Sequence, residues 1–173
     1  MHRIRPATTA DAASVARIHV SAWRTTYRGL MAEDVLANLD EAKREQRWRA
    51  VVETSPGQLF VLEGEDGVLG FYHIAPARDA DLGGQVGEIT ALYLVSAAQG
   101  HGHGRALCNH ALGQLRRQGY DEAILWVLRD NHAARVFYER LGFAADGAQK
   151  HLERLQVAGV RYRIHLPNLE PAA

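Results

Sequence analysis

The sequence lacks the features that would place it among disulfide-rich, membrane-spanning or strongly charged proteins. Its one cysteine, Cys108, excludes an internal disulfide and a multi-cysteine zinc site. Twenty Lys and Arg balance 20 Asp and Glu, so no net charge would attract nucleic acid or an anionic membrane. The longest apolar run, Ala123–Leu128, is far shorter than the ~20 residues of a membrane helix. Residues 1–6 also lack the apolar stretch of a signal peptide. These absences predict a cytoplasmic protein without nucleic-acid or membrane partners.

No repeat, low-complexity tract or linker divides the 173 residues. This length suits one domain that buries its own hydrophobic core, so we expect a single domain over residues 1–173. Residues 166–173 read as a loose tail.

Apolar periodicity predicts the element order β-α-α-β-β-β-α-β-α-β-β. Hairpins come first and crossovers last, which indicates an α/β fold with helices on both faces of a mixed sheet. A capping box at Thr8–Asp11 begins the first helix. Strands are expected at His2–Ala7, Gln58–Glu63, Val68–Ala75, Val86–Val95, Glu122–Leu128, Phe143–Asp146 and Val160–Leu166, and helices up to Tyr27 and over Ala32–Glu53, Gly104–Gln118 and His132–Arg140.

Glycine occupies every second position between the long strand and the helix that follows it, at Gly100, Gly102 and Gly104. Such a turn allows positive φ angles and brings the backbone close to a ligand. The N–H groups of the following helical turn, together with the helix dipole, favour a phosphate or pyrophosphate. Arg105 stands where a dinucleotide fingerprint would need its third glycine, and no Gly-Lys-Ser/Thr step of a P-loop occurs in the chain.

The segment Leu92–Leu107 resembles the signature of the GNAT family of N-acetyltransferases, Gln/Arg-x-x-Gly-x-Gly/Ala after a strand. Ser96 departs from the proline that the family often has there. A second family block also matches, with Trp126-Val127-Leu128 before Asn131 and then Phe137-Tyr138-Glu139 and Leu141-Gly142-Phe143.

This resemblance implies an acyl-CoA site and acetyl-CoA as co-substrate. Backbone groups of Leu92, Tyr93 and Leu94 would pair with the pantetheine arm as an added strand does. Asn131 would bind the arm or the adjacent phosphates. The pyrophosphate would be held by the amides of Gln99, Gly100, His101, Gly102, His103, Gly104 and Arg105.

Acetyl transfer to an amine needs a base for the ammonium and an acid for the departing thiolate. Glu88, on the long strand where the family often places its base, is the candidate base, and His73 on the neighbouring strand is the alternative. Tyr138, at the family's tyrosine position, is the candidate acid. A backbone N–H near Leu94 would meet the carbonyl oxygen.

Trp23, Tyr27 and Trp126 could line an acceptor pocket, although core packing explains these aromatic residues equally well. His101, His103 and His110 lack a clear carboxylate partner, so we expect no metal. Cys108 falls on an apolar helical stripe and is expected in the core.

The sequence thus predicts transfer of an acetyl group from acetyl-CoA to a primary amine, by direct attack in a ternary complex. A non-catalytic acyl-CoA-binding module is the alternative. The acceptor, a small molecule or a peptide, cannot be read from the chain because acceptor pockets are built from variable loops. Homodimerisation is likewise left open.

Overall fold

The computed structural model describes residues 2–152 and 157–166. The loose tail predicted for residues 166–173 lies outside the described residues, apart from Leu166, which is buried. The elements, in chain order, are β1 Arg3–Pro6, α1 Ala12–Thr26, α2 Glu33–Ala37, α3 Glu41–Thr54, β2 Leu59–Gly64, β3 Gly67–Pro76, β4 Val86–Leu94, α4 His103–Arg117, β5 Glu122–Leu128, α5 His132–Glu139, β6 Ala144–Leu152 and β7 Val157–His165.

The seven strands form one sheet in the order β1-β2-β3-β4-β5-β7-β6. β1, β2 and β3 pair in antiparallel fashion, and so do β5, β7 and β6. β4 and β5 are parallel, and their register joins Val86–Glu88 to Glu122–Ile124. The predicted mixed α/β sheet is therefore confirmed.

The chain divides into two compact units. The first unit takes in Met1–His73 and Ala91–Cys108, and the second takes in Ile74–Thr90 and Asn109–Ala173. The expectation of a single domain over residues 1–173 stays a prediction.

The core of the first unit forms between helices α1 and α3 and the strands β2 and β3. Val15 and Ile18 lie on the buried side of α1, where they join Trp48 of α3 and Phe71 of β3. Their spacing on α1 is the helical one from which that element was predicted. The capping box also forms, because the backbone N–H of Thr8 donates to Oδ2 of Asp11 at 2.7 Å.

The single helix predicted over Ala32–Glu53 is wrong, because the segment forms two helices with a break at residues 38–40. Asp40 begins α3 as its N-cap, and its carboxylate accepts a hydrogen bond from the N–H of Lys43 at 3.0 Å. The guanidinium of Arg24 donates to the carbonyls of Leu36 and Leu39 at 3.3 and 3.2 Å. Side chains thus form hydrogen bonds with the backbone groups at the break. In a continuous helix, those backbone groups would bond to one another.

In the second unit, β6 is longer than the strand predicted at Phe143–Asp146. β7 begins and ends earlier than the strand predicted at Val160–Leu166. The register of β6 against β7 shifts between Ala145 and Gln149, and Gly147 lies there at a φ of 92°. Nearly all side chains of Ala144–His151 are exposed, so the sequence lacks the alternation of apolar and polar residues from which the full length of β6 could be predicted. In the described part of the chain, no helix has the length and apolar character to cross a membrane.

Candidate active site

The connection from β4 to α4 needs glycine at two positions. It passes through a 3₁₀ turn at Ser96–Ala98 and reaches α4 at His103. Gly100 and Gly102 have φ angles of 77° and 81°, a left-handed conformation that side chains disfavour. A Cβ built on either glycine would meet no atom within 4 Å. Backbone conformation, rather than crowding, therefore requires these glycines, and the space beside them is open to a ligand.

The beginning of α4 presents main-chain donors to that space. The N–H of Ala106 donates to the carbonyl of Gly102 at 3.1 Å, so the N–H groups of residues 103–105 precede this first helical bond. Within the loop, Nδ1 of His101 lies 2.7 Å from the carbonyl oxygen of Gln99. Amides at a helix N-terminus combine with the helix dipole to attract anions. The loop therefore has the conformation and the main-chain donors of an anion-binding turn.

A cavity of about 260 Å³ lies beside the same loop, within the first unit. The ring centroids of His2 and His103 are 4.5 Å apart, and those of His101 and His103 are 6.3 Å apart. Across residues 2–152 and 157–166, no group of three or more His, Cys, Asp or Glu side chains is placed to hold a metal ion. The cavity is lined by His2, Leu69, Ala97, Ala98, His101 and His103.

Two of the aromatic residues predicted to line an acceptor pocket meet a third one in the first unit. Nε1 of Trp23 donates to the hydroxyl of Tyr93 at 2.9 Å, and the hydroxyl of Tyr27 lies 3.3 Å from the same oxygen. Burial raises the pKa of Tyr93 above its ordinary value, although both hydrogen bonds act in the opposite direction. Tyr93 was predicted to hold the cofactor through its backbone, and its side chain also organises this cluster.

His19 of α1 completes the cluster, and the sequence analysis missed it. Its ring stacks on Tyr93 at 5.2 Å between centroids, and its Nδ1 accepts a hydrogen bond from Nε1 of Trp48 at 3.1 Å. Burial, together with the charges of Arg44 and Arg47, lowers the pKa of His19 to about 3. The ring is therefore neutral at physiological pH. Its helical spacing from Val15 and Ala22, on the buried side of α1, was the signal for a core position.

Arg44 of α3 packs against the same aromatic cluster. Its guanidinium carbon lies 5.1 Å from the centroid of the Trp23 ring, a cation–π distance. Burial lowers the pKa of this guanidinium below its usual range. Arg44 is thus half-buried against the aromatic cluster, whereas Arg49 of the same helix pairs with Glu45 at 2.8 Å.

His73 and Cys108 lie in the protein interior. His73 packs against Trp48 with ring centroids 5.5 Å apart, inside the first unit. Cys108 is fully buried, and burial raises its pKa to about 12. A thiol with such a pKa does not form the thiolate that a nucleophile needs, which agrees with its predicted place in the core.

Glu88, the candidate base, is half-buried on β4 in the second unit. Burial raises the pKa of its carboxyl group above its ordinary value, and Asp79 acts in the same direction. Lys150 and Arg78 partly oppose this rise. A carboxylate with a raised pKa binds a proton more strongly, which is the property that a general base requires.

Trp126, the third predicted acceptor residue, stands in a network of charges that the sequence analysis missed. Its Nε1 donates to Oδ2 of Asp79 at 3.2 Å, and Nζ of Lys150 lies 3.8 Å from the centroid of its ring. Arg161, only 4% exposed, lies across the strand pair from Trp126. Its guanidinium donates to the carboxylates of Asp81 and Asp146. In the sequence, the polar loop of residues 78–84 indicates such a network. The spacing of residues along the chain does not show that this loop contacts Arg161.

Asn131 and Tyr138 lie at opposite ends of α5, also in the second unit. Asn131 is the N-cap, and its Oδ1 accepts a hydrogen bond from the N–H of Ala134 at 3.2 Å. The ring of Tyr138 packs against Phe137 and Phe143, at 5.1 and 5.7 Å between centroids. Asn131 thus has a structural role beside any role in binding.

Comparisons with known proteins agree with this loop and this sheet. The model of the Acetyltransferase (GNAT) family matches residues 15–143. The uncharacterized N-acetyltransferase YuaI of Bacillus subtilis is 31% identical over 164 residues, which cover 94% of this chain and 90% of YuaI. The chain belongs to the GNAT acetyltransferase family. It is accordingly an acetyl-CoA-dependent N-acetyltransferase, and a non-catalytic acyl-CoA-binding module is not favoured.

Solved structures show the same fold. PaiA N-acetyltransferase from Thermoplasma acidophilum, solved in complex with coenzyme A, has a TM-score of 0.75 at 17% identity and covers 93% of this chain and 98% of its own. YncA from Salmonella typhimurium, solved with its cofactor acetyl-CoA, has a TM-score of 0.72 at 22% identity and covers 100% of this chain and 98% of its own. The GNAT fold predicted from two short motifs is therefore confirmed.

The lowered pKa of His19 makes stability depend on pH. The unfolded chain takes up this proton near pH 6.5 and the folded chain only near pH 3, so stability is lost as the pH falls below 6.5. We expect His19 to lower the free energy of unfolding by about 2 kcal/mol between pH 7 and pH 5. Urea unfolding of His19→Gln, which keeps a hydrogen-bond acceptor, should show a smaller decrease. His151→Gln, at an exposed histidine, should keep the wild-type decrease, and an equal decrease in His19→Gln would contradict the assignment.

Proposed function

We propose that the enzyme transfers the acetyl group of acetyl-CoA to a primary amine by direct attack in a ternary complex. The observation that carries this proposal is the left-handed backbone at Gly100 and Gly102, beside the first amides of α4. The acceptor is a small molecule or a peptide that carries a free amine. Cytoplasmic location stays a prediction.

The chain would hold the co-substrate mainly through its main chain. The N–H groups of residues 99–105 bind the diphosphate, with Arg105 adding a positive charge. Leu92, Tyr93 and Leu94 extend the pantetheine arm along the end of β4. In support, the parallel register of β4 with β5 joins only Val86–Glu88, before these residues are reached. Asn131, at the beginning of α5, contributes its side-chain amide.

Two side chains would move the protons. Acetyl-CoA supplies a thioester whose carbonyl carbon the amine attacks. Glu88 takes a proton from the acceptor ammonium, directly or through water, which a half-buried carboxylate with a raised pKa favours. Tyr138 donates its phenolic proton to the departing sulfur. A backbone N–H near Leu94 faces the carbonyl oxygen and needs no reorientation, because it is fixed in a strand.

The glycine turn can be tested without any acceptor. Gly102→Ala places a side chain at a φ of 81°, which disfavours the present turn and moves its donors. We expect a dissociation constant for coenzyme A about tenfold higher by isothermal titration calorimetry, equivalent to ~1.4 kcal/mol. The matched control is Gly113→Ala within α4, where the nearest atom to the new Cβ is Nη1 of Arg117 at 3.7 Å. Unchanged affinity in Gly102→Ala would remove the loop from the site.

Glu88 can be tested by the pH dependence of turnover. The wild-type kcat/KM should rise with pH through an apparent pKa above the ordinary glutamate value, because only the carboxylate accepts the proton. Glu88→Gln should lower kcat by about 100-fold and abolish that rise while still binding coenzyme A. Glu53→Gln, at an exposed residue of α3, is the control. If Glu88→Gln kept the wild-type profile, another group would be the base.

Tyr138 can be tested by removal of one oxygen atom. Tyr138→Phe keeps the ring packed against Phe137 and Phe143 but removes the donor, so kcat should fall by about 100-fold with unchanged coenzyme A affinity. Release of the free thiol reports the rate. Tyr120→Phe removes a hydroxyl elsewhere in the second unit and should have little effect. Wild-type turnover in Tyr138→Phe would exclude the phenol as the acid.

A further inference from the structure

The face of the Trp126 ring already carries an alkylammonium group, that of Lys150. The distance of 3.8 Å from Nζ to the ring centroid is well inside the ~6 Å limit of a cation–π contact. The opposite edge of the indole is fixed, because its Nε1 donates to Asp79. The ring therefore has a defined orientation toward a cation.

The charges of two carboxylates act on this ammonium. Burial lowers the pKa of Lys150 below its ordinary value, whereas the charges of Asp79 and Glu88 favour the charged form and those of Arg161 and Arg78 oppose it. Most of the charge of Arg161 is already engaged, since it pairs with Asp81 at 2.6 Å and with Asp146 at 2.7 Å. The two carboxylates therefore attract a cation at this position, while burial makes its ammonium group lose a proton more readily than in water.

The backbone provides the space that this contact needs. Gly159 of β7 lies opposite Lys150 in the strand register. A Cβ built on Gly159 would lie 3.4 Å from Cε3 of Trp126 and 3.8 Å from Cγ of Lys150. A larger residue at this position would press on both the ring and the lysine stem.

The cation on the Trp126 ring is a lysine ammonium, a group that is rare in this chain. Lys43 and Lys150 are its two lysines, and all other basic side chains apart from histidine are guanidinium groups. Lys150 is exposed at the residue level, so its ammonium can leave the ring for solvent. A lysine ammonium is a primary alkylammonium, the same group that a primary amine presents before it loses its proton.

We propose that the face of Trp126, with the carboxylates of Glu88 and Asp79, is the subsite that binds the alkylammonium group of the acceptor, and that Lys150 occupies this subsite until the acceptor displaces it. The proposal rests on the proposed function, and it names the acceptor class as cationic alkylamines. Trp126 and Asp79 are thus specificity residues, and Lys150 is an internal competitor.

Binding of tetramethylammonium tests this proposal independently of catalysis, because this cation has no N–H to exchange for an acetyl group. Lys150→Met removes the competing charge and keeps the chain length. We expect it to bind tetramethylammonium three- to tenfold more tightly than the wild type by calorimetry at fixed ionic strength. Lys43→Met, the matched control at the other lysine, should bind as the wild type does.

The gain must depend on the ring and on positive charge. It should be lost in Lys150→Met combined with Trp126→Leu, and it should shrink with Trp126→Phe, since indole is the strongest cation–π partner. Neutral tert-butanol should not distinguish Lys150→Met from the wild type. A gain that persists without Trp126, or no gain at all, would overturn the proposal. Circular dichroism confirms that each variant is folded.

Kinetics separates failure of this proposal from failure of the proposed function. With acetyl-CoA and 1,4-diaminobutane, Lys150→Met should lower KM three- to tenfold, and the control Lys43→Met should leave KM unchanged. Acetyl transfer to amines without any change in KM would overturn the subsite and leave the transferase activity intact. Tetramethylammonium binding without transfer to any amine would support the subsite and overturn the proposed function.

Discussion

The left-handed backbone at Gly100 and Gly102 is the constraint on which the proposed function of this chain depends. It turns the chain from the end of β4 into α4, and the space beside both glycines is open. Main-chain donors held in this way need no side-chain ordering when an anion binds, so little conformational entropy is lost. In the proposed function, the turn would also determine where the diphosphate lies beyond the end of β4.

Much of this arrangement could be predicted because it is local in sequence. The glycine alternation, the apolar stripe of α1 and the capping box at Thr8–Asp11 each occupy a few consecutive residues, and the structure contains all three. The break between α2 and α3 was missed for the opposite reason. Arg24 binds the carbonyls of Leu36 and Leu39 from a separate helix, and periodicity within the segment carries no trace of it.

In the candidate site, too, local features could be predicted and contacts between distant segments could not. Sequence reasoning could identify Glu88, Trp126 and Tyr138 as candidates, because these residues lie in short family motifs or on a recognisable strand. Their surroundings come from distant parts of the chain, since Asp79 and Lys150 meet Trp126 from a loop and from a bulged strand. His19 was missed because a histidine on an apolar helical face gives no sign of its ring partners. The pKa directions of Glu88 and His19 depend on this packing.

The burial of Cys108 has a practical consequence for enzymology. Free coenzyme A is commonly detected by a reagent that reacts with thiolates, and an exposed cysteine would add its own signal. The sole thiol of this chain is fully covered and deprotonates only at strongly alkaline pH, so the folded enzyme contributes no background. The same residue becomes reactive when the surrounding core opens. The rate at which this cysteine is labelled in denaturant therefore reports unfolding without an introduced probe.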